Sequence, residues 1–239
     1  NWVPCHLDDY VEDMNVHLRK YCTEIDNSRL SEVFEKCREL LDENDYLMTE
    51  GESSFLEGQI NSKSIPSLRL LLKDHKNAKP NGRYPTRLLV SSKNFTQGFS
   101  KLAYKSTQNL FDRTSVQYGK HTIKNSFHFK SKLEELSLHQ DDVTVVSLDI
   151  KDMYPSCTLK AAKAAVKHYA STLNDHERAS ISKCLDILGF SMGNTLVSFQ
   201  DKYYEYGGDA DPDNRGLTIG GFESGFLSDL LASFLLDKL

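Results

Sequence analysis

Apolar residues recur at helical spacing through the first third of the chain. Val11, Met14, Leu18 and Tyr21 share one face, and Leu30, Val33, Phe34, Cys37, Leu40 and Leu41 share another. That three-to-four-residue recurrence predicts amphipathic helices. Their outward faces are acidic and read as solvated. Gly51 through Ser64 carries no apolar stripe and reads as a polar connector. The period then changes. Ser67–Lys73 and Arg87–Ser91 predict two strands, joined by the basic loop Lys76-Asn-Ala-Lys-Pro-Asn-Gly-Arg83. A helix is predicted from about Thr96 to Asp112, with Phe99, Leu102, Ala103 and Leu110 inward, and another begins near Ser126.

Val143-Thr-Val-Val-Ser-Leu148 is β-branched and almost wholly apolar, the pattern of a central strand buried on both faces. Thr158 opens an Ala-rich helix, and Asn174-x-x-Glu177 is a capping box that starts the next. Leu196–Gln200 and Lys202–Tyr206 predict a hairpin. A Gly-rich stretch then leads into a last helix with Leu227, Leu230, Leu231, Phe234 and Leu235 as its stripe.

Composition is that of an ordinary globular chain: 239 residues, 39% hydrophobic and 26% charged. No apolar run reaches the roughly 18 residues a membrane span needs, and Asn1-Trp-Val-Pro-Cys5 carries no signal-peptide pattern, so none is expected. The first residue is not Met, so a piece of a longer chain is expected. Cys5, Cys22, Cys37, Cys157 and Cys184 are scattered, odd in number and without a C-x-x-C pair. That argues against zinc or disulfide frameworks and for a reducing, intracellular compartment.

Charge changes the picture once it is divided. Residues 1–60 hold 5 Lys/Arg against 15 Asp/Glu, a balance of −10; residues 61–130 hold 14 against 2, or +12; the remainder is −7. A basic block of that density suits phosphate, because each neutralised phosphate releases counterions. A solvated basic face is the plainer alternative.

Three segments carry candidate chemistry. Asp149 directly follows the expected buried strand, in Ser-Leu-Asp149-Ile-Lys-Asp152-Met-Tyr154-Pro-Ser. A carboxylate at a strand end is held rigidly where a hard cation needs oxygen; strand-end Asp is also a common turn starter. Tyr154 is placed to lie beside a sugar, or simply to pack in the core. Arg87 on its strand offers a bidentate fork for phosphate oxygens, with Lys73, Lys76, Lys79, Arg83 and, just beyond, Lys93 as mobile charge. Arg215-Gly216-Leu-Thr-Ile-Gly220-Gly221-Phe-Glu-Ser224-Gly225 opens a helix with glycines that let backbone approach a ligand, or that only make a tight turn.

Together these pieces resemble Penelope-like retroelement reverse transcriptases. Pro66-x-Leu-x-Leu-x-Leu-Lys73-Asp-His75-Lys76 is similar to that family's lysine–histidine–lysine segment, and Arg87-Leu-Leu-Val-Ser to the fingers motif after it. Asp149 through Tyr154 resembles polymerase motif A, and Gly216 through Gly225 resembles motif B. The likeness covers roughly residues 35–239, in the family's order. Ile219 and Gly225 depart from it, where many relatives carry Gln and Pro.

The resemblance implies an α+β fold: an N-terminal helical region over residues 1–58, fingers over 59–140, and a partial palm with motifs A and B over 141–239. It implies an RNA-directed DNA polymerase, a nucleotidyltransferase using an RNA template, a DNA primer and deoxynucleoside triphosphates in the nucleus. Asp149 would be the first catalytic metal-binding aspartate for two Mg²⁺ ions. Tyr154 would discriminate against a ribose 2′-hydroxyl and Asp152 would lie near the triphosphate. Arg87, with Lys73 and Lys76, would contact the triphosphate, and Gly220 and Ser224 would line the pocket under the templating pair. Motif C, an aromatic-x-Asp-Asp hairpin, does not occur, so the piece alone is expected to be inactive, because two-metal chemistry needs more carboxylates. The alternatives are a non-catalytic nucleic-acid-binding protein derived from such an element, or a helical scaffold whose basic block binds an acidic protein.

Overall fold

A computed structural model describes residues 6–73, 82–91, 93–114, 116–118, 120–123, 125–136, 144, 146–147, 149–207 and 211–238, without the side chains of Leu47 and Pro212. Lys76, Lys79 and much of the expected strand over residues 143–148 lie outside them. The architecture is mixed α+β, mostly helical with small sheets.

The N-terminal part is α1 (Leu7–Tyr21), β1 (Cys22–Ile25), α2 (Asn27–Asn44) and α3 (Glu50–Ser62). The stretch read as a polar connector is therefore a helix. Thr49 and Glu52 form a reciprocal capping box, with Thr49 Oγ1 accepting from the Glu52 N–H and the Glu52 carboxylate accepting from the Thr49 N–H. That box starts α3, and burying Leu56 and Ile60 is enough to dock it. In α2 the Asp26 side chain caps the Arg29 N–H at 2.9 Å.

A hairpin follows, β2 (Arg69–Leu72) and β3 (Thr86–Leu89), with Leu71 opposite Arg87. Then come α4 (Gln97–Arg113), α5 (Ser126–Glu135), the single turn α6 (Met153–Ser156), α7 (Leu159–Ala170) and α8 (Asp175–Gly193). A second hairpin, β4 (Leu196–Phe199) and β5 (Lys202–Tyr206), precedes the last helix, α9 (Ser224–Leu236). β5 pairs antiparallel with both β4 and β1, so the sheet order is β1-β5-β4 and a strand from residue 22 closes on one from residue 206.

Three apolar clusters hold the elements together. Phe111, Leu159, Leu188 and Leu227 centre one, where α4, α7, α8 and α9 meet. Phe34, Leu56, Phe95 and Phe99 centre the second, where α2 and α3 pack on α4. Met14, Leu18, Leu88 and Val197 join α1 to both hairpins in the third. A fully buried Phe or Leu contributes roughly 1.5–3 kcal/mol over its exposed state. The largest such side chains (Phe95, Phe99 and Phe111) all lie on or beside α4, which makes that helix the spine of the fold.

Of the expected central strand only Thr144, Val146 and Ser147 are described; they are exposed and belong to no strand pair of the described residues, and Val143, Val145 and Leu148 lie outside the described residues. One expectation fails here. Leu235, placed in the stripe of α9, is exposed, because the helix packs through Leu227, Leu230 and Leu231.

Candidate active site

Backbone hydrogen bonds bring the candidate segments to one place. After β3 the chain runs past the glycine turn, where the Val90 N–H donates to the Ile219 carbonyl at 2.9 Å. Gly220 sits at φ +111°, and a Cβ there would run into the Val90 carbonyl oxygen. Only glycine adopts that backbone and admits that approach. The end of the Arg87 strand is thus locked to the Gly220 turn.

The second junction joins the Asp152–Tyr154 turn to Gly216. Asp152 adopts the left-handed conformation, φ +50°, and α6 follows as a single turn. The Leu217 N–H donates to the Tyr154 carbonyl at 2.9 Å, and the Leu159 N–H donates to the Arg215 carbonyl at 2.9 Å. A Cβ on Gly216 would collide with the Pro155 backbone. Residues 87–90, 152–159 and 215–220, far apart in sequence, therefore form one backbone-pinned surface.

Side chains are distributed unevenly over it. Arg87 is exposed on β3 while its neighbour Leu88 is buried, as strand alternation requires. Lys73 is half-buried at the other strand, its N–H donating to the Pro85 carbonyl at 2.8 Å. Lys93 is exposed. Arg83 is engaged within the molecule: its guanidinium pairs with Asp9 at 2.5 Å and Glu12 at 2.7 Å, both on α1. Asp149 and Asp152 are exposed, and Tyr154 is half-buried against the α7–α9 core. The Lys20 ammonium of α1 is held above its ordinary range first by Tyr21 and more weakly by Asp152.

Arg215 is no surface cation. It is 9% exposed and donates to the Gly193 carbonyl at 2.5 Å and to Glu205 at 2.6 Å. Arg29 reaches the same carboxylate at 3.0 Å and the Asn194 amide oxygen at 3.0 Å. One buried Glu on β5 thus ties α2, the end of α8 and the segment that opens onto Gly216.

Beneath the glycine turn lies a buried polar cluster that sequence reasoning missed. Glu223 is 1% exposed and accepts a hydrogen bond from the Ser100 hydroxyl of α4. Burial pushes its carboxyl above the ordinary carboxylate range. The Ser224 hydroxyl, like that of Ser100, favours the Glu223 carboxylate, while Thr218 Oγ1 and, on α4, both amide atoms of Gln97 are buried without a hydrogen-bond partner. The available signal was a Glu inside the otherwise apolar and Gly-rich run Ile219–Phe226.

For a metal, the donor set is incomplete. Asp149 and Asp152 stand on one exposed segment, and among the described residues no group of three or more His, Cys, Asp or Glu could hold an ion. Two Mg²⁺ ions do not fit these residues alone. No described helix is long and apolar enough to cross a membrane. Compared with known proteins, the chain matches no family model, no curated protein and no solved structure.

Proposed function

We propose that this chain is the fingers and first palm segment of a Penelope-like reverse transcriptase, binding an RNA template, a DNA primer and a deoxynucleoside triphosphate. One observation carries the reading. The three segments that resemble the fingers motif, motif A and motif B are joined by the Val90–Ile219 and Leu217–Tyr154 backbone hydrogen bonds. A shared nucleotide pocket requires that convergence; three unrelated turns do not. In this reading Arg87 faces the triphosphate, Tyr154 faces the sugar, and Gly220 and Ser224 underlie the base pair. Asp149 supplies one metal ligand, and the further carboxylates for two Mg²⁺ ions lie outside the described residues. Nuclear residence follows from the same reading.

A non-catalytic nucleic-acid-binding protein derived from such an element is the second reading. The incomplete carboxylate set among the described residues favours it. Both readings place nucleic acid on the Arg87 face. The chain should bind an RNA–DNA hybrid with affinity that falls steeply as salt rises, and Arg87→Ala should lower the log–log salt slope by roughly one. Binding that is flat in salt, or unchanged by Arg87→Ala, refutes that placement. Primer extension by an intact polypeptide carrying this chain separates the two. Loss of extension in Asp149→Asn with hybrid binding retained supports the polymerase; extension that survives the substitution removes Asp149 from the chemistry.

A further inference from the structure

Phe222 stands open to solvent at 39% exposure, directly before the buried Glu223 and Ser224. The Lys101 ammonium of α4 lies over its ring, 5.4 Å from the centroid, and over the Phe55 ring of α3, 5.0 Å from that centroid. Phe55 is 36% exposed. A Cβ on Gly98 would crowd Leu56 and Phe55, so α4 approaches α3 closely there, and Lys101, one turn on, reaches the Phe55 ring. One cation thus joins two half-open phenyl rings from different elements. The group adjoins the arginine face of the first hairpin. Strand alternation, with Leu71 opposite Arg87 and Arg69 opposite Leu89, puts these four side chains on one face. Leu89 packs against Gly220, two residues before Phe222. Arg69 and Arg87 are exposed, and among the described residues neither they nor Lys101 pairs with a carboxylate. Arg29, Arg83 and Arg215 all do.

We propose, on the reading of the Arg87 face as the nucleic-acid surface, that Phe222, Phe55 and Lys101 form a stacking site for unpaired bases, holding single-stranded RNA that continues from a hybrid seated on Arg69 and Arg87. Chemistry selects the occupant. Open phenyl rings beside a cation match a single strand, whose bases offer π-faces and whose phosphates carry charge. A duplex keeps its base faces in its own stack, so the rings add nothing to its binding. An acidic protein segment would satisfy the cations and leave the rings without planar partners. The spacing suits a strand. Arg87 stands two residues from Leu89 and Phe222 two from Gly220, so each lies within about 7 Å of chain from the Leu89–Gly220 contact. A few nucleotides cover that span. Lys105, exposed one turn beyond Lys101 on α4, continues the positive charge. The turn that carries Gly220 and Ser224 then also sets where unpaired RNA enters.

The test compares binding of a blunt RNA–DNA hybrid with that of the same hybrid carrying a 5′ RNA overhang of about six nucleotides. The overhang should tighten binding roughly fivefold or more. Phe222→Ala and Phe55→Ala should each remove most of that gain and leave blunt-hybrid affinity in place, while Phe222→Tyr should keep the gain. Lys101→Gln should lower the salt slope for the overhang substrate by about 0.7. Phe127→Ala, which removes a phenyl 81% exposed on α5, should change neither affinity. 2-Aminopurine in the overhang should be quenched on binding, and Phe222→Ala should relieve the quenching. The proposal is overturned if the overhang adds nothing or if its gain survives both alanine substitutions. It is overturned equally if a polyglutamate peptide displaces the overhang substrate as readily as free single-stranded RNA does. Where blunt-hybrid binding still depends on Arg87 in those cases, only the stacking site falls; where it does not, the reading of the Arg87 face falls with it.

Discussion

Replacing Glu205 with Gln should destabilise the protein far more than any surface charge change. Its carboxylate is 9% exposed and holds two guanidinium groups, Arg215 at 2.6 Å and Arg29 at 3.0 Å. Breaking a buried ion pair from one side costs about 3–5 kcal/mol, because the remaining charge stays buried without its counter-charge. Arg215 meets that condition in full at 9% exposure. Arg29 is 27% exposed and also reaches Glu32, so its share is screened. The lower end, about 3 kcal/mol, is therefore expected. At roughly 2–4 °C per kcal/mol for a chain of this size, Tm should fall by about 6–12 °C. Urea unfolding should show a lower midpoint with an unchanged slope. Glu32→Gln, at the exposed rim of the same network, is the control and should leave the midpoint nearly in place. Adding Arg215→Met to Glu205→Gln should recover part of the loss, since the stranded cation is then gone. A loss below about 1 kcal/mol, or no recovery in the double variant, would refute the reasoning that this carboxylate anchors the segment leading to Gly216.

Two glycines should respond in opposite directions: Gly216→Ala should cost about 1–3 kcal/mol or more, because its Cβ meets the Pro155 backbone, while Gly58→Ala in α3 should gain about 0.5–1 kcal/mol, because its Cβ meets nothing within 4 Å. Denaturant midpoints of the pair read this directly. Asp237 should make the protein acid-sensitive. Its carboxyl is held well below the usual range by Lys120 first, then His121 and Tyr169. A depressed folded-state pKa gives stability that is present above the ordinary carboxylate pKa and is lost progressively as pH falls from there towards the lower folded-state pKa. The Tm gap between the wild type and Asp237→Asn should therefore be full at neutral pH, begin to narrow below about pH 4 and close only in stronger acid. Burial pushes the Cys22 and Cys37 thiols up to about 12. Brief iodoacetamide treatment of the folded protein at pH 8 should leave both unlabelled, and rapid labelling of either would contradict their placement.

Where burial follows a local period, the sequence was legible. Phe99, Ala103 and Leu110 mark the inner face of α4, and Asn174 with Glu177 caps α8, each read from spacing alone. α3 escaped because Gly51, Ser53, Ser54, Gly58 and Gln59 dilute its stripe to Leu56 and Ile60; its capping box was the better signal. β1 escaped for another reason. Cys22-Thr-Glu-Ile25 acquires its role only by pairing with Tyr203–Tyr206, a partner about 180 residues away, and no local pattern encodes such a distance.

Charge was legible as a total and misleading as an inventory. The +12 block and the −10 N-terminal region look like separate surfaces in the sequence, yet α1 lays its acidic side against the hairpin. Arg83 pairs with Asp9 and Glu12, His17 meets the Thr86 hydroxyl at 2.9 Å, and Met14 and Leu18 pack on Leu88. Of the two arginines at β3, the one nearer the basic loop is committed to the protein's own helix, and the one on the strand stays open. A phosphate approaching this face meets Arg87 first. For it to meet Arg83, Asp9 and Glu12 must be displaced or neutralised. The Asp9→Asn/Glu12→Gln variant should therefore tighten hybrid binding and steepen its salt dependence, since a cation once paired internally becomes available to phosphate.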